Sequence, residues 1–97
     1  LQAAGHGLFV GAVEVSIVAW FSMPSSWSKK KRREHEGRWH TQKPDADNIA
    51  KSVLDALKEH WADDCQVCWL TVRKRWVQGT GLTQITVCEI QEDASSE

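Results

Sequence analysis

Pro44-Asp45-Ala46-Asp47-Asn48-Ile49-Ala50-Lys51-Ser52-Val53-Leu54-Asp55-Ala56-Leu57 is the stretch that decides how this 97-residue chain folds. Pro44 biases Lys43 away from helical angles, so a helix is predicted to begin after it. Asp45 or Asp47 caps that helix by offering a carboxylate oxygen to free backbone N–H groups. Ile49, Ala50, Val53, Leu54, Leu57 and Trp61 gather on one side of the helical wheel, and Asn48, Lys51, Ser52, Asp55 and Glu59 on the other. Such a helix lays its apolar side on a sheet and turns Lys51 outward, about one turn from Asp47.

Working outward, Val13, Val15, Ile17, Ala19 and Phe21 alternate with residues that include Glu14 and Ser16, the signature of a strand over Ala12 to Phe21. Met23-Pro24-Ser25-Ser26 ends it. From Trp27 to Pro44 no periodicity is visible, which predicts a long loop. A second strand is expected from Asp64 to about Val77, apolar on both faces as a central strand would be. Gln78-Gly79-Thr80-Gly81 then reads as a turn, with Leu82 to Ile90 a third strand in a hairpin with the second. The expected class is α+β: a small mixed β-sheet in the order strand, loop, helix, strand, strand, with the helix packed on one face.

The length suits one small domain, which buries about 60–70% of its unfolded surface. No stretch approaches the roughly 20 apolar residues of a membrane span. Leu1 to Gly7 lacks both an initiator Met and a basic region, and reads as the cut edge of a longer chain, not a signal peptide. Net charge is −1, but Glu92, Asp93 and Glu97 lie in a tail over 91–97 that reads as acidic and disordered. The remaining body is mildly cationic, with its charge concentrated in Lys29-Lys30-Lys31-Arg32-Arg33 and Arg73-Lys74-Arg75. A polyanion responds to such patches over a Debye length of about 8 Å, not to the total.

Cys65, Cys68 and Cys88 are an odd set and poor material for a disulfide framework. Cys65-Gln66-Val67-Cys68 spells CxxC, yet zinc needs two more soft ligands, and no second CxxC or His pair stands at suitable spacing. Buried free thiols in a reducing cytosol are the better reading.

Asp45 and Asp47 stand two apart at a loop-to-helix junction, and Asp64 opens the next predicted strand. If that strand lies beside the helix start, the three carboxylates converge. Unit charges about 4 Å apart repel by roughly 4 kcal/mol at an effective dielectric of 20, so such a group needs protons or a divalent cation. Mg²⁺ is the natural partner, hard and oxygen-preferring, and Mn²⁺ a plausible substitute. A plainer reading makes Asp45 an N-cap, Asp47 and Lys51 a surface pair, and Asp63-Asp64 a polar turn. The cation run has its own plain reading, a solvated loop or a localisation signal. Trp27 and Trp39 flank that run, placed for packing or for stacking on unpaired bases. His35 and His40 have no Ser or Cys nucleophile at recognisable spacing and default to surface or DNA-contacting roles.

Lys43-Pro44-Asp45-Ala46-Asp47-Asn48-Ile49-Ala50-Lys51, then Asp55-Ala56-Leu57, then Asp63-Asp64-Cys65-Gln66-Val67 resembles the RusA family of Holliday junction resolvases, nucleases common in tailed phages and prophages. Met23-Pro24-Ser25-Ser26-Trp27-Ser28-Lys29-Lys30-Lys31-Arg32 looks like the segment that precedes the acidic motif in many members. The resemblance implies that Asp45, Asp47 and Asp64 are metal-binding catalytic carboxylates, with Lys51 the essential basic residue beside them. Asp55 and Asp63 match family positions and are assigned structural roles.

The resemblance also implies a Mg²⁺-dependent endodeoxyribonuclease acting on branched DNA as a homodimer, in the cytoplasm of a bacterium or phage-infected host. No membrane and no small-molecule cofactor enter this reading. Lys29, Lys30, Lys31, Arg32, Arg33 and Lys43 would grip backbone phosphates. Residues 1–97 are expected to form one nuclease domain shortened at its amino end, since family members begin with a strand and a helix before the equivalent of Ala12. The competing readings are an inactive truncated DNA-binding remnant, and a branch or flap endonuclease without strict junction preference.

Overall fold

The computed structural model describes residues 9–91. The amino-terminal stretch read as a cut edge, and residues 92–97 of the acidic tail, lie outside the described residues. The elements are β1 (Val13–Ser22), α1 (Lys29–His35), α2 (Ala46–Leu57), β2 (Val67–Val77) and β3 (Leu82–Glu89). Together they make the expected α+β fold, a small mixed sheet with helices.

The alternation in β1 makes it the centre. Val13, Val15, Ile17 and Ala19 all point to one face and are buried there. Val53 and Leu57 of α2, followed by Trp61, close over them. Burying aliphatic side chains of this size is worth about 1.5–3 kcal/mol each, so this face dominates the stability of the domain. Trp61 lies beyond the end of α2 yet is almost fully buried in the same core.

The sheet order is β2-β1-β3, with β1 parallel to β2 and antiparallel to β3. A parallel pair requires the chain to travel back along the sheet before the second strand starts, and α2 makes that return. It therefore runs antiparallel to β1. Two sequence expectations are corrected here. The third strand is not in a hairpin with the second, and the second strand lies at the sheet's edge instead of its centre. Side-chain alternation reports which face a residue occupies but carries no information on which strand lies alongside.

The link from β2 to β3 crosses over the carboxyl end of β1, and Gly81 makes the crossing possible. A Cβ on Gly81 would stand 2.6 Å from the Trp20 carbonyl oxygen and 3.2 Å from the Ser22 nitrogen, both backbone atoms that cannot step aside. The outer edge of β2 is covered over its second half by residues 37–40. Gly37 N–H donates to the Trp76 carbonyl (3.0 Å), Trp76 N–H to Arg38 (2.9 Å) and His40 N–H to Lys74 (2.9 Å). This short addition blunts an otherwise open edge.

The stretch after Trp27 is also corrected. Residues 29–35 form α1, not loop, although Lys29 and Arg33 are like charges one turn apart, which opposes an isolated helix. Tertiary and capping contacts outweigh that repulsion. Ser28 caps the helix by accepting from the Lys31 N–H at 3.1 Å. Arg32 donates to the carbonyls of Trp27 (3.2 Å) and Pro24 (2.9 Å), binding α1 back onto the chain before it. Gly37, at φ +75°, then turns the chain out of the helix in the left-handed region glycine favours.

Candidate metal and DNA site

α2 sets the position of the acidic residues. Its first turn abuts the carboxyl end of β1, where Ala19 and Phe21 line a hollow of about 300 Å³ together with Pro44, Asn48 and Ile49. Asp45 occupies the N-cap position with extended backbone (φ −71°, ψ 151°), but its carboxylate makes no capping bond. Its oxygens are therefore not consumed by the helix. Asp47 lies in the first turn, exposed to solvent, where the positive end of the helix dipole favours a carboxylate. Lys51 is exposed one turn further along.

The basic helix lies at this same end of the sheet, because α1 follows directly from the carboxyl end of β1. Lys29, Lys30, Lys31 and Arg33 are exposed, as is Lys43. Arg32 differs, since its guanidinium is held by two backbone carbonyls and its side chain is half-buried.

Asp64 is elsewhere. It opens a single 3₁₀ turn, Asp64–Gln66, that precedes β2 where a longer strand was expected. A capping box builds that turn. Asp63 accepts from the Cys65 N–H at 2.9 Å, and the Gln66 side chain accepts from the N–H groups of Ala62 (3.0 Å) and Asp63 (3.1 Å). The bond from the Cys65 N–H, then that from its side chain, holds the Asp63 carboxyl below the usual range. Gln66 also donates to the carbonyls of Phe9 and Gly11. Asp64 itself accepts from the Trp61 indole at 2.8 Å and is otherwise exposed.

These contacts fix Asp64 at the amino end of β1. Val67 pairs with Val13, the first residue of β1, and Trp61 bridges Phe9. Asp45 and Asp47 stand at the other end, across the length of a 12-residue helix, about 18 Å. One chain therefore places Asp45, Asp47 and the α1 cations toward the same end of the sheet, with Lys51 a turn further along α2, and places Asp64 at the other end. Among the described residues no three His, Cys, Asp or Glu side chains are grouped to hold a metal ion. The condition that 45, 47 and 64 converge within one chain is not met, because the helix between them keeps them apart.

The histidines and tryptophans are also placed. His40, expected at the surface, is buried and stacked on Phe21 at 3.9 Å. Burial, and then the nearby Lys74 charge, pushes its pKa below the ordinary value. Cys65, Cys68 and Cys88, expected to be buried, are exposed, because the 3₁₀ turn and the edge strands leave them at the surface, and the Asp63 carboxylate beside Cys65 raises that thiol's pKa. This is the opposite of an activated thiol. Sequence reading does not single out Arg38, which lies in a cleft beside Trp39. No local pattern marks it, since the cleft is closed by residues far apart in the chain.

The family model described as Endodeoxyribonuclease RusA matches residues 1–88. The chain belongs to the RusA family. No curated protein and no solved structure matches it. Membership makes it a RusA-type nuclease of the Holliday junction resolvase family. The candidate residues divide along the sheet: Asp45 and Asp47 at the carboxyl end of β1, Lys51 one turn further along α2, and Asp63 and Asp64 at the amino end. No helix among the described residues is long and apolar enough to cross a membrane.

Proposed function

We propose that this RusA-family chain is a Mg²⁺-dependent endodeoxyribonuclease that resolves four-way DNA junctions by paired symmetric nicks, serving recombination and repair in a bacterial or phage-infected cytoplasm. The observation that carries the reading is the placement of an uncapped Asp45, Asp47 and Lys51 toward the same end of the sheet as the exposed cations of α1. In open, mostly parallel sheets ligands bind outside the carboxyl ends of the strands, and this is the carboxyl end of the parallel pair, β1 and β2.

The donor set suits the ion. Mg²⁺ is usually held by one or two carboxylates together with water and substrate phosphate, and Asp45 with Asp47 supplies two hard oxygen donors. When bound, the ion supplies polarisation of the scissile phosphate and a bound water of lowered pKa. Lys51 stabilises negative charge on the pentacovalent phosphate, or orients the attacking water. Asp47 is a ligand or the base. Lys29, Lys30, Lys31, Arg33 and Lys43 hold the flanking phosphates.

Asp64 enters through a second copy. Two symmetric nicks need two sites, and a twofold dimer provides them. In such a dimer the Asp64 end of one chain meets the Asp45 and Asp47 end of the other. Trp69 and Leu82, exposed on the sheet face away from α2, offer apolar surface for association. If the chain stays monomeric, the separation of Asp64 favours the second reading, an inactive DNA-binding remnant.

The test is magnesium-dependent nicking of a synthetic mobile junction, compared with flap and linear duplex DNA. Asp47→Asn is expected to lower cleavage by more than about 100-fold, beyond the 10–100-fold typical of changes one shell further from a metal. Junction binding should stay within about twofold. Cleavage by this variant at the parent rate would refute the metal assignment.

A further inference from the structure

Beside α1 lies a cleft of about 650 Å³, within the range of small-ligand sites, of whose lining the roles above use Lys31 alone. One wall is formed by Trp27, His35 and Trp76, the outer members of a run of packed rings that reaches into the interior. Phe21 lies 3.9 Å from His40, His40 4.4 Å from Trp76, Trp76 4.9 Å from Trp27 and Trp27 4.6 Å from His35. Trp76 is only 5% exposed, so this wall is part of the packed interior and is rigid. Lys31 sits over the Trp27 ring at 4.4 Å and Arg38 opens to solvent, giving the rim a positive charge.

Trp39 also lines the cleft and is built differently. It is 58% exposed, yet it is held in place. The Arg75 guanidinium lies 4.0 Å from the ring centroid, and the backbones of the two residues are bridged. Arg75 also donates to the Gly37 carbonyl at 2.6 Å. An indole left in water forfeits the burial that stabilises Trp elsewhere in this chain. Clamped on one side by a cation, it keeps a flat surface available to a partner that stacks. Thr41 and Gln42 add hydrogen-bonding groups at the edge.

Rings, cations and amide edges in one cleft match one ligand chemistry: a planar heterocycle attached to a phosphate. The cleft's own chain runs from Gln42 through Lys43 and Pro44 into Asp45, so Gln42 at its edge is at most about 11 Å of extended chain from Asp45. We infer that this cleft receives a single unpaired nucleobase of the DNA substrate, stacked on Trp39, with its phosphate on Lys31 and Arg38. The inference rests on the DNA-cleaving reading above and names the part of the substrate that distinguishes a branch from a duplex.

The test uses the full chain in magnesium-free buffer, so that DNA is bound and not cut. The two probes are a duplex with 2-aminopurine in a one-nucleotide bulge and the same duplex fully paired. Binding of the parent chain should quench the bulged 2-aminopurine. Trp39→Ala should abolish that quenching and weaken bulged-DNA binding by about 5- to 100-fold, the range for loss of one stacked base, with paired duplex changed less than about twofold. Trp39→Phe, which keeps a ring, should restore most of the difference.

Equal weakening on both duplexes, or no weakening on either, would overturn the inference. So would unquenched fluorescence in the parent complex, which needs no variant. The nuclease reading fails separately. Loss of magnesium-dependent nicking with bulge selectivity intact would remove the catalytic assignment and leave the cleft standing.

Discussion

Toward the carboxyl end of β1 the chain places Asp45, Asp47, Lys51, the α1 cations and the Trp39 cleft, with their polar groups turned to solvent. At the amino end it places Asp63 and Gln66, whose polar groups are largely spent on one another and on the backbone, and Asp64, which accepts one bond and is otherwise exposed. Asp63 caps a turn, Gln66 ties Phe9 and Gly11, and Asp64 receives the Trp61 indole. Carboxylates that look alike in sequence thus differ in how many oxygens remain free. An uncapped N-cap Asp is the unusual case, because most residues at that position satisfy the helix start. The end with unsatisfied groups is the end equipped to take a ligand.

The sharpest way to break this comparison is to mix two dead enzymes. If Asp64 of one copy completes the site of another, Asp47→Asn and Asp64→Asn are each inactive alone. A mixed dimer then contains one intact site, formed by Asp45 and Asp47 of one chain with Asp64 of the other. Mixing should restore magnesium-dependent nicking of one strand from background, to about a quarter of the parent's sites at equal, freely exchanging amounts. No recovery in a verified mixed dimer would show that the two ends do not meet.

A smaller effect separates the cations. Changing Lys29, Lys30, Lys31 and Arg33 to Ser should weaken binding to all DNA and flatten the log–log salt dependence by roughly 3–4, about 0.9 for each phosphate that is no longer neutralised. Arg32→Ser should instead lower thermal stability, since its guanidinium joins α1 to Pro24 and Trp27. A titration of affinity against salt reads the first, and a melting curve the second. An unchanged salt slope would place the DNA grip away from α1.

The smallest effect concerns His40, which the aromatic stack keeps neutral. Its folded pKa lies below the ordinary 6.5 because of burial and then Lys74, so the unfolded chain takes up a proton first as pH falls. Its contribution to stability is full above about pH 6.5 and is lost on acidification through the folded pKa. The melting temperature should fall from pH 7.5 to 5.5, at most about 1.4 kcal/mol per pH unit from this group. His40→Phe, which keeps a ring beside Phe21, should remove that part of the slope. An identical slope in the variant would assign the dependence to other groups.

What could be read along the chain was whatever repeats locally. The apolar positions of β1 and α2 are spaced at two and at three to four residues, and those periods name a strand and a helix wherever the segment sits. The acidic motif, with Lys51 one turn beyond Asp47, carries the family. What was hidden depends on distant partners. Five cations in a row argue against a helix locally, and the Ser28 cap with contacts to Pro24, Trp27 and Trp76 offsets that. His40 has the composition of a loop residue but is buried because residues 37–40 join the edge of β2.

Sequence alone thus settled the α+β class, the central helix with its exposed acidic start, and the family, because each is written in a short stretch or a fixed spacing. Tertiary structure alone decided that β3 lies beside β1, that β2 is the edge, that Trp39 faces a cleft, and that Asp64 stands a helix-length from Asp45 and Asp47. The physical reason is that a parallel strand pair compels the connecting helix to run the length of the sheet. Residues on either side of that helix in the chain are carried to opposite ends, a consequence of strand direction that no local pattern records.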